Sequence, residues 1–451
     1  MASTYLTRTS TSTGNRKIGT LSMWVKRGKE VEEVPFGWGS DNQDFTSLIF
    51  NGSNQIELRH KVSNTYTVKN KTTRVFRDLA AWYHIVYQID TTESVDSDRL
   101  KLYVNGEQLT SWAETDWPTL NEDFYINLSG ESCTFGRYAP SHGDHYAGSM
   151  AHVHWIDGTI YGPTAFGETD ATSGIWIAKT SPSVTYGTNG FFLKFQDTAA
   201  FGDDSSGNNN DFTVSGTMTQ TKDTPDNNFA TMNPLSNFRQ AATFSNGNTT
   251  VATNATNVTP STATMGLQAG KWYWEVEASA RGGSGAEWLI GVVSMFQTVS
   301  NTELGNYNKD WGYYGFNGNS RNSDANTAYG NSYTVGDIIG VALDLDNMKI
   351  YFSKNGTWQN SGDPAAGSNG ITITEDTSSN PVPWMQAYFP ACCGWDSSNS
   401  YTFDFNFGNG YFGTTSHGET NADDAGIGLF KYDVPAGFYA ICTNNLQSYG
   451  G

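Results

Sequence analysis

Short runs of strictly alternating side chains, each closed by Gly, Asn or Asp, recur along this chain and leave little choice of secondary structure. The clearest is GKWYWEVEAS, residues 270–279. Successive side chains of a strand point to opposite faces, so Trp272, Trp274 and Val276 share one side while Lys271, Tyr273, Glu275 and Glu277 share the other. This pattern predicts a half-buried antiparallel strand with its Trp face in the core and its Tyr and Glu face at the surface, not an aromatic platform for a ligand. Tyr273 is then the one ring of the three left to meet a neighbour. IGTLSMWVKRG (18–28) sets Leu21, Met23 and Val25 against Ser22, Trp24 and Lys26. TSLIFNGSNQIELRHKV (46–62) reads as two strands folded at Asn51-Gly52 and Ser53-Asn54, which is hairpin chemistry. AWYHIVYQID (81–90), DRLKLYVNGEQL (98–109) with its Asn105-Gly106 turn, and MAHVHWIDGTIYGP (150–163) continue the series. Only RVFRDLAAWY (74–83) looks helical.

A chain of 451 residues is too long for one hydrophobic core and predicts roughly two or three domains. Charged residues are only 16% while aromatics reach 14%, a balance that favours strands and turns over helices. The net charge of -19, from 26 basic and 45 acidic residues, argues against nucleic acid or an anionic membrane as partner, because both need a basic surface. Cys133, Cys392, Cys393 and Cys442 include no CxxC pair, so neither a zinc site nor a disulfide framework is signalled. Buried free thiols, suited to a reducing cytoplasm, are expected. The opening MASTYLTRTSTSTGNRK lacks the apolar core of a signal peptide. Nowhere does an apolar run approach the roughly 20 residues of a membrane-spanning helix.

The first set of strands, with SMWVKRG, WYHIVYQID, LKLYVNGE and FGRYAPSHGDHYAGSMAHVHWIDG in that order, resembles the laminin-G-like branch of the concanavalin A-like sandwiches. The family pattern WHHVAVTYDG...LYVNG is matched by Trp82, Tyr83, His84, Ile85 and Val86, then by Leu102, Tyr103, Val104, Asn105 and Gly106. DDSSGNNNDFTVSG (203–216) looks like the opening strand of such domains but follows the others, which implies an edge strand supplied late, with FFLKF (191–195) as its partner. From about residue 241, GKWYWEVEA, WLIGVVS, DWGYYGFNGN, YTVGDIIGVALDLDNMKIYFSKNGTW and PWMQAYFP resemble a SPRY domain in order and spacing, closed by YTFDFNFG. Its most specific block carries turns at Asp346-Asn347 and Asn355-Gly356. The expected fold class is all-β: two antiparallel β-sandwiches, a concanavalin A-like/laminin-G-like jelly roll and a SPRY-like sandwich, joined by an extended linker. The expected domains are residues 1–216 and 241–410, with 217–240 as the linker. Residues 411–451 are expected to dock on a domain, since Phe438, Tyr439, Ile441 and Leu446 would otherwise face water.

Catalytic chemistry finds little support. Glycosidases of the concanavalin A-like fold place acid and nucleophile on one strand as E-x-D-x-x-E; AETDWPT, with Glu114 and Asp116, and GETDATS, with Glu168 and Asp170, both lack the third acid. Glu275 and Glu277 share a face without a further partner. No phosphate loop, dinucleotide fingerprint or nucleophile elbow appears. No cofactor is expected. His142, His145, His152 and His154 crowd one segment, and His152 and His154 fall on the same side of a regular strand. With Asp144 and Asp157 they are the weak metal candidates, and related sandwiches leave Ca²⁺ open.

Recognition fits best. The connections of the SPRY-like half are rich in Asn, Ser and Gly with isolated aromatics, a mixture of adaptable hydrogen bonding and rigid anchors. Tyr307, Tyr329, Trp358 and Trp395 are the anchor candidates, with Arg281, Arg321 and Asp396 as polar partners; Trp311 and Tyr313 are assigned to the core. The combination of the two modules with GPTAFGETDATSGIW (162–176), DTPDNNFATMNPL (223–235) and VPAGFYAICTNNL (434–446) resembles structural proteins of tailed bacteriophages. That resemblance implies a virion protein assembled in the host cytoplasm without a signal peptide. As a non-enzymatic tail or capsid appendage of fibre type, it would be a homo-oligomer, a trimer by preference, held by other virion proteins and recognising a host surface glycan or protein. A capsid decoration or connector that binds only virion proteins is the alternative, and a glycan depolymerase the minor one.

Overall fold

The computed structural model describes residues 4–138, 145–237, 241–294, 302–373, 387–395 and 398–450. It divides into two compact units, Met1–Gln220 and Thr221–Gly451. Each is a sandwich of two antiparallel sheets. Among the described residues no helix is long and apolar enough to cross a membrane, and all four cysteines are buried and free.

In the first unit one sheet runs, edge to edge, through strands Trp112–Glu114, Thr65–Val75, Gln55–Val62, Phe45–Phe50, Glu33–Gly39, Ser132–Phe135, Tyr5–Thr9 and Thr213–Ser215. The other runs through Phe191–Leu193, Ser149–Asp157, Ile18–Lys26, Trp82–Asp90, Leu100–Val104 and Glu107–Leu109. Leu21, Met23 and Val25 enter the shared core with Ile85, Tyr87, Trp38 and Trp155, as their alternation requires. Asn105 and Gly106 take φ of 50° and 85°, the left-handed pair a two-residue hairpin turn needs. The late strand Thr213–Ser215 is an edge strand, paired with Tyr5–Thr9. Its expected partner Phe191–Leu193 pairs instead with Ser149–Asp157 in the other sheet. Residues 74–83 are not helical. The Thr65–Val75 strand is followed by an irregular turn in which Asp78 accepts from the Ala80 amide (2.9 Å), and Trp82 opens a new strand. Burial of Phe76 against Phe50 and Tyr83 outweighs local helix propensity.

In the second unit one sheet orders Thr243–Ser245, Thr250–Ala252, Tyr401–Asn406, Lys271–Arg281, Ile338–Asp344, Lys349–Lys354 and Thr357–Trp358, with two short strands attached. The six-stranded sheet orders Ser261–Thr262, Tyr388–Gly394, Trp288–Ser294, Asp310–Tyr314, Asn319–Asn322 and Ala325–Ala328. Trp272, Trp274, Trp311 and Tyr313 lie in the core between them. The middle of the opposite face of Lys271–Arg281 is not at the surface. Tyr273 and Glu275 are both 0% exposed, covered by Phe229, Phe430, Phe438 and Ala440. The Glu275 carboxylate accepts from Tyr273 Oη (3.1 Å), Asn406 Nδ2 (3.1 Å) and the amides of Lys431 (2.8 Å) and Tyr432 (2.9 Å). Asp423 ties the same segment to itself, accepting from the amides of Ile427, Gly428 and Ala440 and from Asn445 Nδ2. Period two correctly separates the two faces of this strand, but it cannot tell that a later piece of chain seals the polar one.

Candidate ligand-binding face of the second unit

The outer face of the six-stranded sheet is built on a glycine. Along Asp310–Tyr314, Trp311 and Tyr313 turn inward, which sends Asp310, Gly312 and Tyr314 outward. A Cβ on Gly312 would stand 3.2 Å from Leu289 and 3.3 Å from Leu304. Its absence lets Leu304, which is 0% exposed, bring its segment down on the sheet, where its amide donates to Cys393 Sγ at 3.2 Å. Gly305, at φ 85°, continues the approach: a Cβ there would lie 2.6 Å from Arg321 Cγ, and its amide donates to Asp310 Oδ2 at 3.2 Å.

Arg321, 2% exposed, is the centre of this packing. Its guanidinium pairs with Asp324 (2.6 Å) and Glu303 and lies 3.6 Å from the centre of the Trp395 ring. Trp395 also stacks on Tyr314, with centroids 4.6 Å apart. With a guanidinium and a phenol ring both stacked on it, the indole has little face left for a ligand. Tyr314 donates to Glu287 and neighbours Phe316 at 6.0 Å. Phe316 is 59% exposed, more than any other large apolar side chain among the described residues. Asp310 is 2% exposed, and its Oδ1 has no hydrogen-bond partner. Burial pushes its carboxyl up to about 7 against the opposing pull of the Gly305 and Tyr307 amides and Arg321. The Arg321 Nε–H is likewise unpartnered.

Of the residues singled out from sequence, the fold brings Arg321 and Trp395 together and sets Tyr307 beside them. The Tyr307 carbonyl accepts from Asn322 Nδ2 (3.2 Å) and the Ser323 amide (3.1 Å). Tyr329 is a core residue whose hydroxyl accepts from the Phe352 amide. Trp358 packs against Tyr273 and Tyr351 on the other sheet. Arg281 is exposed, its guanidinium donating to the Gly285 carbonyl at 3.0 Å. Asp396 lies outside the described residues, as does Asp144. Sequence reasoning missed Phe316, Asp310 and Glu303. A large apolar residue directly before the Asn317-Gly318 turn was the available signal for Phe316, since such a turn has no core to bury it.

The weak metal candidates of the first unit that lie among the described residues are otherwise engaged. A bulge between Ala151 and His154 breaks the regular strand, with His152 at φ 46°. His154 stacks on Phe192 at 3.9 Å and hydrogen-bonds Tyr186 Oη at 3.0 Å, and burial holds its imidazole well below the usual range. Asp157 accepts from the Asn15 amide, Asn127 Nδ2 and the Asn189 amide. Among the described residues no three His, Cys, Asp or Glu side chains come together in a way that could hold a metal ion.

Residues 271–410 match the SPRY domain family, and residues 2–161 match the concanavalin A-like lectin/glucanases superfamily in its laminin-G form. The chain carries a concanavalin A-like domain followed by a SPRY domain. Both kinds of domain are typically binding modules rather than catalysts. A Drosophila melanogaster protein named Ran-binding proteins 9/10 homolog is 33% identical over 89 residues, which is 19% of this chain and 9% of that protein. The chain thus matches under a tenth of that relative's length. Among solved structures, the SPRY domain of human HERC1 is 18% identical, covering 39% of this chain and 96% of that one with a TM-score of 0.28. A heptameric SAP-like pentraxin from Limulus polyphemus is 15% identical, covering 40% and 87%, with a TM-score of 0.29.

Proposed function

We propose that this protein is a non-catalytic virion appendage of a tailed bacteriophage that recognises a host surface glycan through the outer face of its SPRY six-stranded sheet. The observation that carries the reading is Phe316. The most exposed large apolar side chain among the described residues ends a held series of Phe316, Tyr314, Trp395 and Arg321, and carboxylates rim that series. A sugar offers such a face an apolar ring side to lie on the phenyl group and hydroxyls to donate to the carboxylates. The virion context rests on the resemblance of the joint and tail segments to phage structural proteins. Multivalency in a homo-oligomer would raise weak single-site affinity.

The carboxylates considered for hydrolysis support a non-catalytic role. Glu114 is paired with Lys69 and Lys71, Asp170 caps a turn through Ser173, and Glu275 is sealed beneath the C-terminal segment. The test is binding of the full chain to a glycan array and to host cells, with Phe316→Ala beside the wild type. Glycan binding lost in the variant supports the reading. No glycan binding, with retention on purified virion proteins, would favour a decoration or connector. Release of reducing ends from host polysaccharide would revive the depolymerase.

A further inference from the structure

Trp24 and Trp82, 2% and 8% exposed, lie on the outer face of the first unit's six-stranded sheet, and a hairpin of strands Gly167–Thr169 and Trp176–Ala178 covers them. Among the described residues the two hairpin strands pair only with each other, so the cover shares no backbone ladder with the sheet beneath. Its anchor is Trp176. The indole fits against two glycines, where an added Cβ would lie 3.0 Å away on Gly106 and 2.6 Å away on Gly167. Its Nε1–H donates to His84 Nδ1 at 2.9 Å. Nδ1 is therefore the acceptor of this imidazole, and Nε2 carries the proton and donates to Ser22 Oγ at 2.9 Å. With its lone pair turned away from the hydroxyl, the ring is no base for Ser22. Trp24 stacks on the same imidazole, centroids 4.8 Å apart, and His84 is 0% exposed.

An indole N–H can only donate. A proton added at His84 Nδ1 would set two N–H groups against each other in a dry site, so the closed cover admits only the neutral ring. Burial holds the imidazole down to about 3, and His152 pushes the same way. The other groups around it bring no compensating anion. Lys26 shares the Trp24 side of its strand, His154 comes from Ser149–Asp157, and Tyr103 offers a phenol from Leu100–Val104. Glu107 and Glu168 are exposed, and Glu168 faces Lys179 at 3.9 Å.

We infer that the Gly167–Ala178 hairpin is an acid-released cover: once His84 Nδ1 takes a proton from solvent it can no longer accept from Trp176, and the hairpin lifts off Trp24 and Trp82. The SPRY face plays no part in this. In the open form the solvated ring titrates near its ordinary value of about 6.5. Between about 6.5 and about 3 the open form thus binds one proton more than the closed form, and opening grows roughly tenfold for each unit by which pH falls.

Hydrogen exchange on the full chain at pH 7.5, 5.5 and 4.5, corrected for the intrinsic rate, reads the opening. Protection of residues 167–178 should fall roughly tenfold from pH 7.5 to 5.5 and about tenfold again by 4.5, while strands Ile18–Lys26 and Trp82–Asp90 keep theirs. His84→Gln should remove this dependence, because the amide presents a carbonyl to Trp176 and an NH₂ to Ser22 and takes no proton. Should His84→Gln not fold, Trp176→Phe, which keeps a ring on the hairpin without the donor, should lower hairpin protection at pH 7.5 by roughly tenfold and leave the strands protected. Hairpin protection that does not change with pH overturns the inference. So does a pH dependence that survives His84→Gln, which would pass the effect to His152 or His154. Loss of protection in hairpin and strands together overturns it as well, since that is acid unfolding of the whole unit.

Discussion

Replacing Arg321 with Met isolates the charge that organises the SPRY face. Methionine refills most of the stem volume beneath Gly305, so the cavity contribution is small. The guanidinium is lost from a site where Arg321 is 2% exposed and the Glu303 side chain 16% exposed. Removing one partner of a buried pair costs about 3–5 kcal/mol, because the remaining charge stays buried. Partial exposure of Glu303 places the cost at the lower end, and the stack on Trp395 adds about 1 kcal/mol. The Asp324 pair, at 70% exposure of the acid, is left out of the sum. A total of about 4 kcal/mol should lower the SPRY transition in scanning calorimetry of the full chain by roughly 8–16 °C. The loss should depend on pH. In the wild type the folded-state pKa of Asp310 is raised from 3.8 to about 7, so stability is greatest at low pH and declines as pH rises towards about 7. Without Arg321 that carboxyl rises further, and the penalty at pH 7.5 should exceed that at pH 5.5. A shift below 2 °C, or one independent of pH, would refute the argument that Arg321 compensates this cluster.

Acidification should move the two units in opposite directions. Burial depresses His60 to about 4, His84 to about 3 and His154 well below its usual value, so the first unit should lose stability as pH falls below 6.5. Asp310 and Glu275, both raised to about 7 by burial, should strengthen the second unit over the same range, and calorimetry at pH 7.5 and 5.5 reads both transitions. Arg27→Met should destabilise the first unit by about 3–5 kcal/mol, since it removes donors to Glu33, Asn54 and the carbonyls of Phe76, Lys29 and Val31; urea unfolding followed by tryptophan fluorescence measures it. Glu275→Gln sets an amide group against backbone donors of Lys431 and Tyr432, costs about 2 kcal/mol, and should make the C-terminal segment the first site cut in limited proteolysis.

The strands with apolar alternation were legible in the sequence: Trp272, Trp274, Leu21 and Ile85 all sit where period two sends them. Asn-Gly turns were equally plain, because few other pairs tolerate two left-handed residues in succession. Strand Thr65–Val75 was not, since its buried positions include Asn70 and Thr72, and an alternation of polar with polar carries no hydrophobic signal. The burial of Tyr273 and Glu275 depends on residues more than 150 positions away along the chain, among them Lys431 and Tyr432, beyond the reach of any local pattern. The site was legible in composition but not in detail. Composition singled out aromatic and Arg residues in polar loops, yet only packing reveals that Tyr329 and Trp358 serve as filler while Trp395 clamps Arg321.

Hydrogen exchange on the full chain, with and without a bound host glycan, tests most directly whether the SPRY outer face is where recognition occurs. Exchange should slow only at residues 302–322 and 387–395, and Phe316→Ala should abolish that protection. Protection centred on residues 281–285, on the Thr357–Trp358 strand or in the concanavalin A-like domain, unaffected by that substitution, would contradict it.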